Sequence, residues 1–220
     1  MARPGRPMLY LATRNAGKVR EFGRLLSAWF AVETLPPHVT LPAETGSTFA
    51  ENALLKAGAV FTAVGGQAAV LADDSGLEVD ALRGEPGVRS ARYAGEDAGD
   101  RENVIRLLEE MSGRSDRRGR FVCALALVLP PDLARFAGTG LLEGRGALEG
   151  TITLEPRGES GFGYDPVFQP AGWSRTLAEG GPQEKDAISH RGEAVRALIA
   201  LLQSIGFPPA GDLPLTDGDN

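Results

Sequence analysis

A run of small and branched apolar residues, Ala68-Ala69-Val70-Leu71-Ala72, breaks off abruptly into Asp73-Asp74-Ser75-Gly76, and this junction limits the fold more than any other stretch of the chain. A short apolar run closed by Asp, Ser and Gly predicts a buried strand that delivers its last side chains to the edge of a sheet, where α/β proteins bind ligands. Carboxylates at such a place suit a hard cation, because Mg²⁺ is held by one or two carboxylates with phosphate oxygens completing its shell. The same residues also make a plain strand cap and turn, so the decision falls to the rest of the chain.

Strand-like and helix-like segments alternate around this junction. Met8–Ala12 is apolar, and Val19, Phe22, Leu25, Leu26 and Trp29 then recur at helical spacing. Thr13-Arg14-Asn15-Ala16-Gly17-Lys18 therefore joins a strand to a helix. Thr48 and Glu51 form a capping box opening a helix over about 48–64, with Asn52 and Lys56 four residues apart on one face. A strand over 68–73, a second short strand over 77–82, a helix over 101–111 and a near-continuous apolar strand over 121–129 come next. Further strands punctuated by glycine are expected within 134–155, and a last helix from Ser189 buries Val195, Leu198, Ile199 and Leu202. This order predicts an α/β fold. Residues 1–7 read as an N-terminal extension, 8–207 as a single domain, and the Pro/Gly/Asp-rich residues 208–220 as a flexible tail.

At 220 residues and 42% hydrophobic content the chain can bury a substantial core. A net charge of −6 argues against a nucleic-acid polymer or an anionic membrane as partner, since both require many Lys and Arg. One small anion stays compatible if a few cations gather at one site. No apolar stretch reaches the roughly 18 residues of a membrane span and the N-terminus lacks the apolar core of a signal peptide, so the cytoplasm is the expected location. The single cysteine, Cys123, lies in an apolar strand-like run and reads as a core residue, which excludes an internal disulfide and a thiolate metal site.

Four clusters carry chemistry. Thr13 through Lys18 has the make-up of a phosphate cradle: small residues, an amide-rich turn that opens a helix, and a lysine at its edge. It lacks Walker spacing, because Ala12 and Thr13 replace the early glycine and Val19 follows Lys18; an ordinary connecting loop fits it as well. Glu44, just before the capped helix, is a second loop carboxylate that on its own reads as a solvated acid, and Lys56 sits among apolar neighbours that can aim its ammonium into a cleft. Gly161-Phe162-Gly163-Tyr164-Asp165 sets aromatics between glycines, so Phe162 can grip a planar ring while Asp165 accepts hydrogen bonds from it; a tight turn around a core aromatic is the alternative. Lys185, and then Ser189-His190-Arg191, stand near the start of the last helix. The positive end of that helix disfavours cations and should keep His190 neutral.

Taken in order, Thr13–Lys18, Glu44–Gly46, Asn52–Ala57, Asp73–Leu77, Pro86–Tyr93, Gly161–Phe168 and Ser189–Arg191 resemble the inosine/xanthosine triphosphate pyrophosphatases, house-cleaning enzymes for non-standard purine nucleotides. The resemblance runs from about Met8 to Leu202. It implies an elongated mixed β-sheet with flanking helices, two lobes around a central substrate cleft, and a homodimer. By the same resemblance Thr13, Arg14, Asn15, Ala16, Gly17, Lys18 and Lys56 would hold the triphosphate, and Glu44 and Asp74 would hold Mg²⁺. Asp74 would also be the general base, with Lys56 beside it in the catalytic set, and Ser75 would touch the nucleotide. Phe162, Gly163, Tyr164, Asp165, Lys185, His190 and Arg191 would enclose the base. Two departures stand out. Arg14 occupies a place where glycine is common, and either adds a phosphate contact or crowds the loop; Gly180-Gly181-Pro182 replaces a leucine and polar helix formers and loosens the approach of Lys185.

The reaction so implied is hydrolysis of ITP, dITP or XTP between the α and β phosphates, giving the monophosphate and pyrophosphate. A donor such as Lys185 or Arg191 pairs with a 6-keto oxygen and is stranded opposite the amino group of adenine. Two rival readings remain: a catalytically silent sensor of purine nucleotides, and a phosphatase working through an aspartyl phosphate. The sensor has no need of a base beside the metal, and the phosphatase wants Asp-x-Asp after a strand, a spacing that Asp73-Asp74-Ser75 lacks.

Overall fold

Short strands leading into helices and long antiparallel strands behind them give the chain its frame. In the computed structural model, which describes residues 6–207, β1 (Met8–Leu11) runs into α1 (Ala16–Leu26), and β2 (Ala31–Thr34) returns parallel to β1. In α2 (Phe49–Ala63) the expected capping box is present: the Glu51 amide donates to Thr48 Oγ1 and the Thr48 amide donates to the Glu51 carboxylate. β3 (Ala69–Val79), α3 (Asp100–Glu110), β4 (Arg118–Val128), α4 (Pro131–Ala137) and β5 (Leu141–Ile152) follow. β6 (Phe168–Pro170), α5 (Pro182–Ile188) and α6 (His190–Ser204) complete the order. The expectations for residues 1–5 of the extension and for the 208–220 tail lie outside the described residues.

The strands form one mixed sheet in the order β2-β1-β3-β4-β5-β6, parallel from β2 to β3 and antiparallel from β3 to β6. Its long strands carry separate cores at their two ends. At one end Leu9, Leu11, Leu71, Leu125 and Leu127 pack with Phe22 and Leu26 of α1 and Val195 and Leu198 of α6, while Ala53, Ala57 and Val60 of α2 cover Val70 and Ala72 on the opposite face. At the other end Leu77, Val79, Phe121, Ile152 and Phe168 pack with Val104 and Leu107 of α3. Asp73, Asp74 and Ser75 fall between these lobes. The expected mixed α/β sheet with flanking helices is therefore the one observed.

Several elements differ from the sequence reading. The strand does not stop at Asp73: β3 is 11 residues long and runs through Asp73-Asp74-Ser75-Gly76, so the anticipated second strand over 77–82 is its continuation as far as Val79, while Asp80–Leu82 form a 3-10 turn. What ends there is the parallel neighbour, since β1 pairs with β3 only as far as Leu11 opposite Leu71, whereas β4 accompanies β3 through Val79. The carboxylates thus lie at the carboxyl end of β1, on a strand whose backbone is still fully laddered on its other side. The glycine-punctuated stretch 134–155 is α4 followed by one 12-residue strand, β5. Its glycines are contact points: a Cβ at Gly144 would stand 2.7 Å from the Ala194 carbonyl oxygen of α6, so a bare backbone is what lets that helix lie on the sheet. Trp29 lies beyond the end of α1 but is still buried, and Gly181-Pro182 starts α5, with Pro182 in the first turn where a missing N–H does no harm.

Candidate active site

Adjacent residues on a strand point to opposite faces, and this separates the two aspartates. Asp73 shares a face with Leu71 and Ser75 and meets α1 and α6, whereas Asp74 shares a face with Ala72 and meets α2. The acids that stand side by side in the sequence therefore belong to different clusters.

Asp74 belongs to an acid pair drawn from β3 and from the loop before α2. Its Oδ2 accepts from Asn52 Nδ2 at 3.0 Å, and its Oδ1 lies 3.4 Å from Lys56 Nζ, which is 2.6 Å from Glu44 Oε1. Asn52 also accepts the Gly46 amide at 2.7 Å, tying the loop that carries Glu44 to the carboxylate of Asp74. Arg92 reaches the other Glu44 oxygen at 3.4 Å. Burial, followed by the nearby charge of Glu44, raises the Asp74 carboxyl above its ordinary range against the pull of Lys56. Burial acts the same way on Glu44, but Lys56, Lys18 and Arg92 outweigh it and hold that carboxyl low. Among the described residues no three His, Cys, Asp or Glu side chains gather as a metal cage. A cation here would take two carboxylates from the protein, already spaced to share one ammonium, and this donor set suits Mg²⁺ with phosphate and water as its remaining ligands.

Asp73 anchors a second network on the opposite face. Lys18 Nζ lies 2.8 Å from Asp73 Oδ2 and Arg191 Nε 3.7 Å from it, while Ser75 Oγ donates to the same oxygen at 3.0 Å. Burial opposes the charge of Asp73, yet Lys18, Arg191 and Lys56 prevail and lower its carboxyl to about 2. Arg191 also donates to Glu21 Oε2 at 3.1 Å and to Ser75 Oγ at 2.9 Å, and Ser189, the N-cap of α6, donates to Glu21 Oε1.

Beside Lys18 and Ser75 opens a cavity whose other end is aromatic. Phe162 lies under the Lys185 ammonium, 4.5 Å from its ring centroid, and under the Arg191 guanidinium at 5.0 Å, with its edge so near Gly17 that a Cβ there would come within 2.7 Å of the ring. Lys185 Nζ donates to Asp165 Oδ2 at 2.6 Å. His190 stacks on Phe121 with centroids 4.8 Å apart; burial, helped by Arg191, pushes its pKa well below the usual histidine value, so the ring is neutral as the sequence suggested. Asn15, Lys18, Ser75, Phe162, Gly163, Tyr164, Asp165, His190 and Arg191 line one cavity, which Gly17 and Lys185 flank through the Phe162 ring.

Other residues of the sequence-derived site are placed differently. The Arg14 guanidinium donates to the carbonyls of Leu35, Pro36 and Val39 at 2.8, 2.7 and 2.7 Å, so it straps the segment leading to Glu44 and does not reach into the cradle. Asn15 Oδ1 takes the Gly17 and Lys18 amides as the cap of α1, and Thr13 Oγ1 accepts from the Asn15 amide. Ala16 opens the helix. Glu21, Asn52 and Arg92 were not among the expected functional side chains, and Asp73, which the junction offered as a metal carboxylate beside Asp74, is instead bound to Lys18, Arg191 and Ser75. Glu21 was the most legible of them, since an acid beside Phe22 on the buried stripe of a helix demands a cation.

A family model described as the Ham1 family matches residues 9–201. The chain belongs to the Ham1 family. A relative from Deinococcus deserti, named dITP/XTP pyrophosphatase, is 50% identical over 200 residues, covering 90% of each chain. Among solved Ham1 structures, the protein from Coxiella burnetii is 41% identical with a TM-score of 0.77, over 90% of this chain and 99% of its own. The Staphylococcus aureus Ham1 protein is 38% identical with a TM-score of 0.76, over 90% and 98%. These Ham1 likenesses span both lobes of the sheet, so the acid pair and the aromatic end lie within the matched region.

Proposed function

We propose that this chain hydrolyses non-standard purine nucleoside triphosphates (ITP, dITP and XTP) to the monophosphate and pyrophosphate. The observation that carries this reading is the convergence of Glu44, from a loop, and Asp74, from β3, on the single Lys56 ammonium beside a cavity whose other end is Phe162 with Lys185 and Arg191. The name shared by the matched relatives, dITP/XTP pyrophosphatase, supports the same chemistry.

In this reading Glu44 and Asp74 hold Mg²⁺, which when bound spreads phosphate charge and lowers the pKa of water. Lys18 and Lys56, both paired with carboxylates, turn toward the triphosphate and neutralise charge that grows as the bond breaks. Asp74 takes the proton of the attacking water. A carboxyl raised by burial accepts a proton more strongly than an exposed one, and the Asn52 bond holds Oδ2 so that Oδ1 is the oxygen that water meets once Lys56 turns to the triphosphate. At the base end Phe162 stacks on the purine, and a donor from Lys185 or Arg191 meets the 6-keto oxygen. Neutral His190 packs behind them without competing charge. A homodimer in the cytoplasm is proposed with this activity on the family resemblance; among the described residues no helix is long and apolar enough to cross a membrane.

A panel of nucleoside triphosphates incubated with Mg²⁺ and resolved by anion-exchange chromatography tests the proposal. Pyrophosphate and monophosphate are expected as first products, with ITP and XTP turned over at least about 100-fold more efficiently than ATP, as befits donors left unpaired opposite an amino group. Free phosphate as first product would support the aspartyl-phosphate route, and tight ITP binding without turnover the silent sensor.

A further inference from the structure

The aromatic loop is pinned on both sides of Phe162 by carboxylates. On its amino side the Phe162 amide donates to Asp165 Oδ2 at 2.9 Å; on its carboxyl side the Gly163 amide donates to Asp100 Oδ2 at 2.7 Å. The flanking glycines both have positive φ, +84° at Gly161 and +61° at Gly163, a conformation that glycine enters and leaves without steric penalty. Nothing in the covalent geometry there holds the Phe162 peptide in one orientation, so hydrogen bonds must: these two, and a longer one of 3.3 Å from the Asp165 amide to the Phe162 carbonyl. Asp165 is buried and already bound to Lys185. Asp100 is exposed and comes from the first turn of α3, a helix fixed in the core by Val104 and Leu107 and bonded through Asn103 to Ala91 and Ala94.

We propose that Asp100 is a positioning residue that holds the Phe162–Gly163 peptide against α3, so that the Phe162 ring stays seated over Gly17 and presents a preformed face to the purine. The proposal rests on the reading above that Phe162 stacks on the base. Asp100 lines the aromatic end of the cavity, and its hydrogen bond goes to the Gly163 amide and not to the acid pair. Its effect therefore falls on substrate capture, not on the chemical step.

Asp100→Ala should raise KM for ITP about tenfold, the effect of losing one hydrogen bond, with kcat within about threefold of wild type. Hydrogen exchange measured by mass spectrometry without nucleotide should become about tenfold faster at residues 159–165 in this variant. Asp100→Asn keeps a carbonyl oxygen for the Gly163 amide and should restore both readouts to near wild type. Should the alanine variant fold poorly, Asp100→Ser keeps a helix-starting residue, cannot reach the amide, and should reproduce the raised KM and faster exchange. Unchanged exchange in the alanine or serine variant would overturn the tether itself. Faster exchange with unchanged KM would sink the proposal by showing that Phe162 does not meet the base, and that result would count against the base-end reading alone. Failure of Asp100→Asn to rescue would overturn the assignment to hydrogen-bond acceptance.

Discussion

Asp74→Asn is expected to lower kcat for ITP about 1,000-fold in Mg²⁺ while leaving the fold intact. The wild-type carboxylate engages Asn52 through Oδ2 and faces Lys56 with Oδ1. An amide has one acceptor oxygen for these two donors, so whichever way it turns, an N–H₂ group opposes either Asn52 or Lys56, and no basic oxygen remains for water. Stability should hold, because burial already disfavours the charge at this position and a neutral amide removes that strain. Steady-state pyrophosphate release and a thermal melt are the measurements. Near-normal release with Mg²⁺ present would show that the proton goes elsewhere.

Arg191→Met should destabilise the protein by about 3–5 kcal/mol, the effect of stripping one partner from a buried ion pair. Arg191 lies between Glu21 and Asp73, which are 2% and 3% exposed, and methionine fills its volume without its charge. Lys18 still covers Asp73, but Ser189 alone is left to Glu21. Urea unfolding measures the loss, and the double variant Glu21→Gln/Arg191→Met should recover more than half of it. A loss below about 1 kcal/mol would mean that water reaches these acids. The same network sets acid sensitivity. Asp73 has a native carboxyl near 2 against an ordinary 3.8, so its contribution, about 2 kcal/mol, is fully present above about pH 4 and is lost as pH falls through 2. In Arg191→Met this acid step should shrink.

Much of this arrangement was written locally. The capping box at Thr48, the buried stripe of α6 and the apolar strand expected at 121–129, observed as Arg118–Val128, follow from interactions within a few residues; His190 is neutral as expected, but chiefly because it is buried against Phe121. What escaped depends on distant partners. β3 runs through two aspartates because Lys18 and Arg191 satisfy one and Asn52 and Lys56 the other, and no window around Asp73 contains those residues. Gly144 looks like a strand breaker until α6 lies across it. Arg14 could be read as a phosphate ligand only while the carbonyls of Leu35, Pro36 and Val39 were unplaced. Glu44 and Asp74, 30 residues apart, gain their meaning from α2, whose inner face brings Asn52 and Lys56 to both.

That Glu44 and Asp74 share one divalent ion is most directly tested by calorimetric titration of Mg²⁺ into protein saturated with a non-hydrolysable ITP analogue. Wild type should take up the ion at one site, and Glu44→Gln and Asp74→Asn should each weaken that site by about tenfold or more. Binding as tight as wild type in both variants would contradict it.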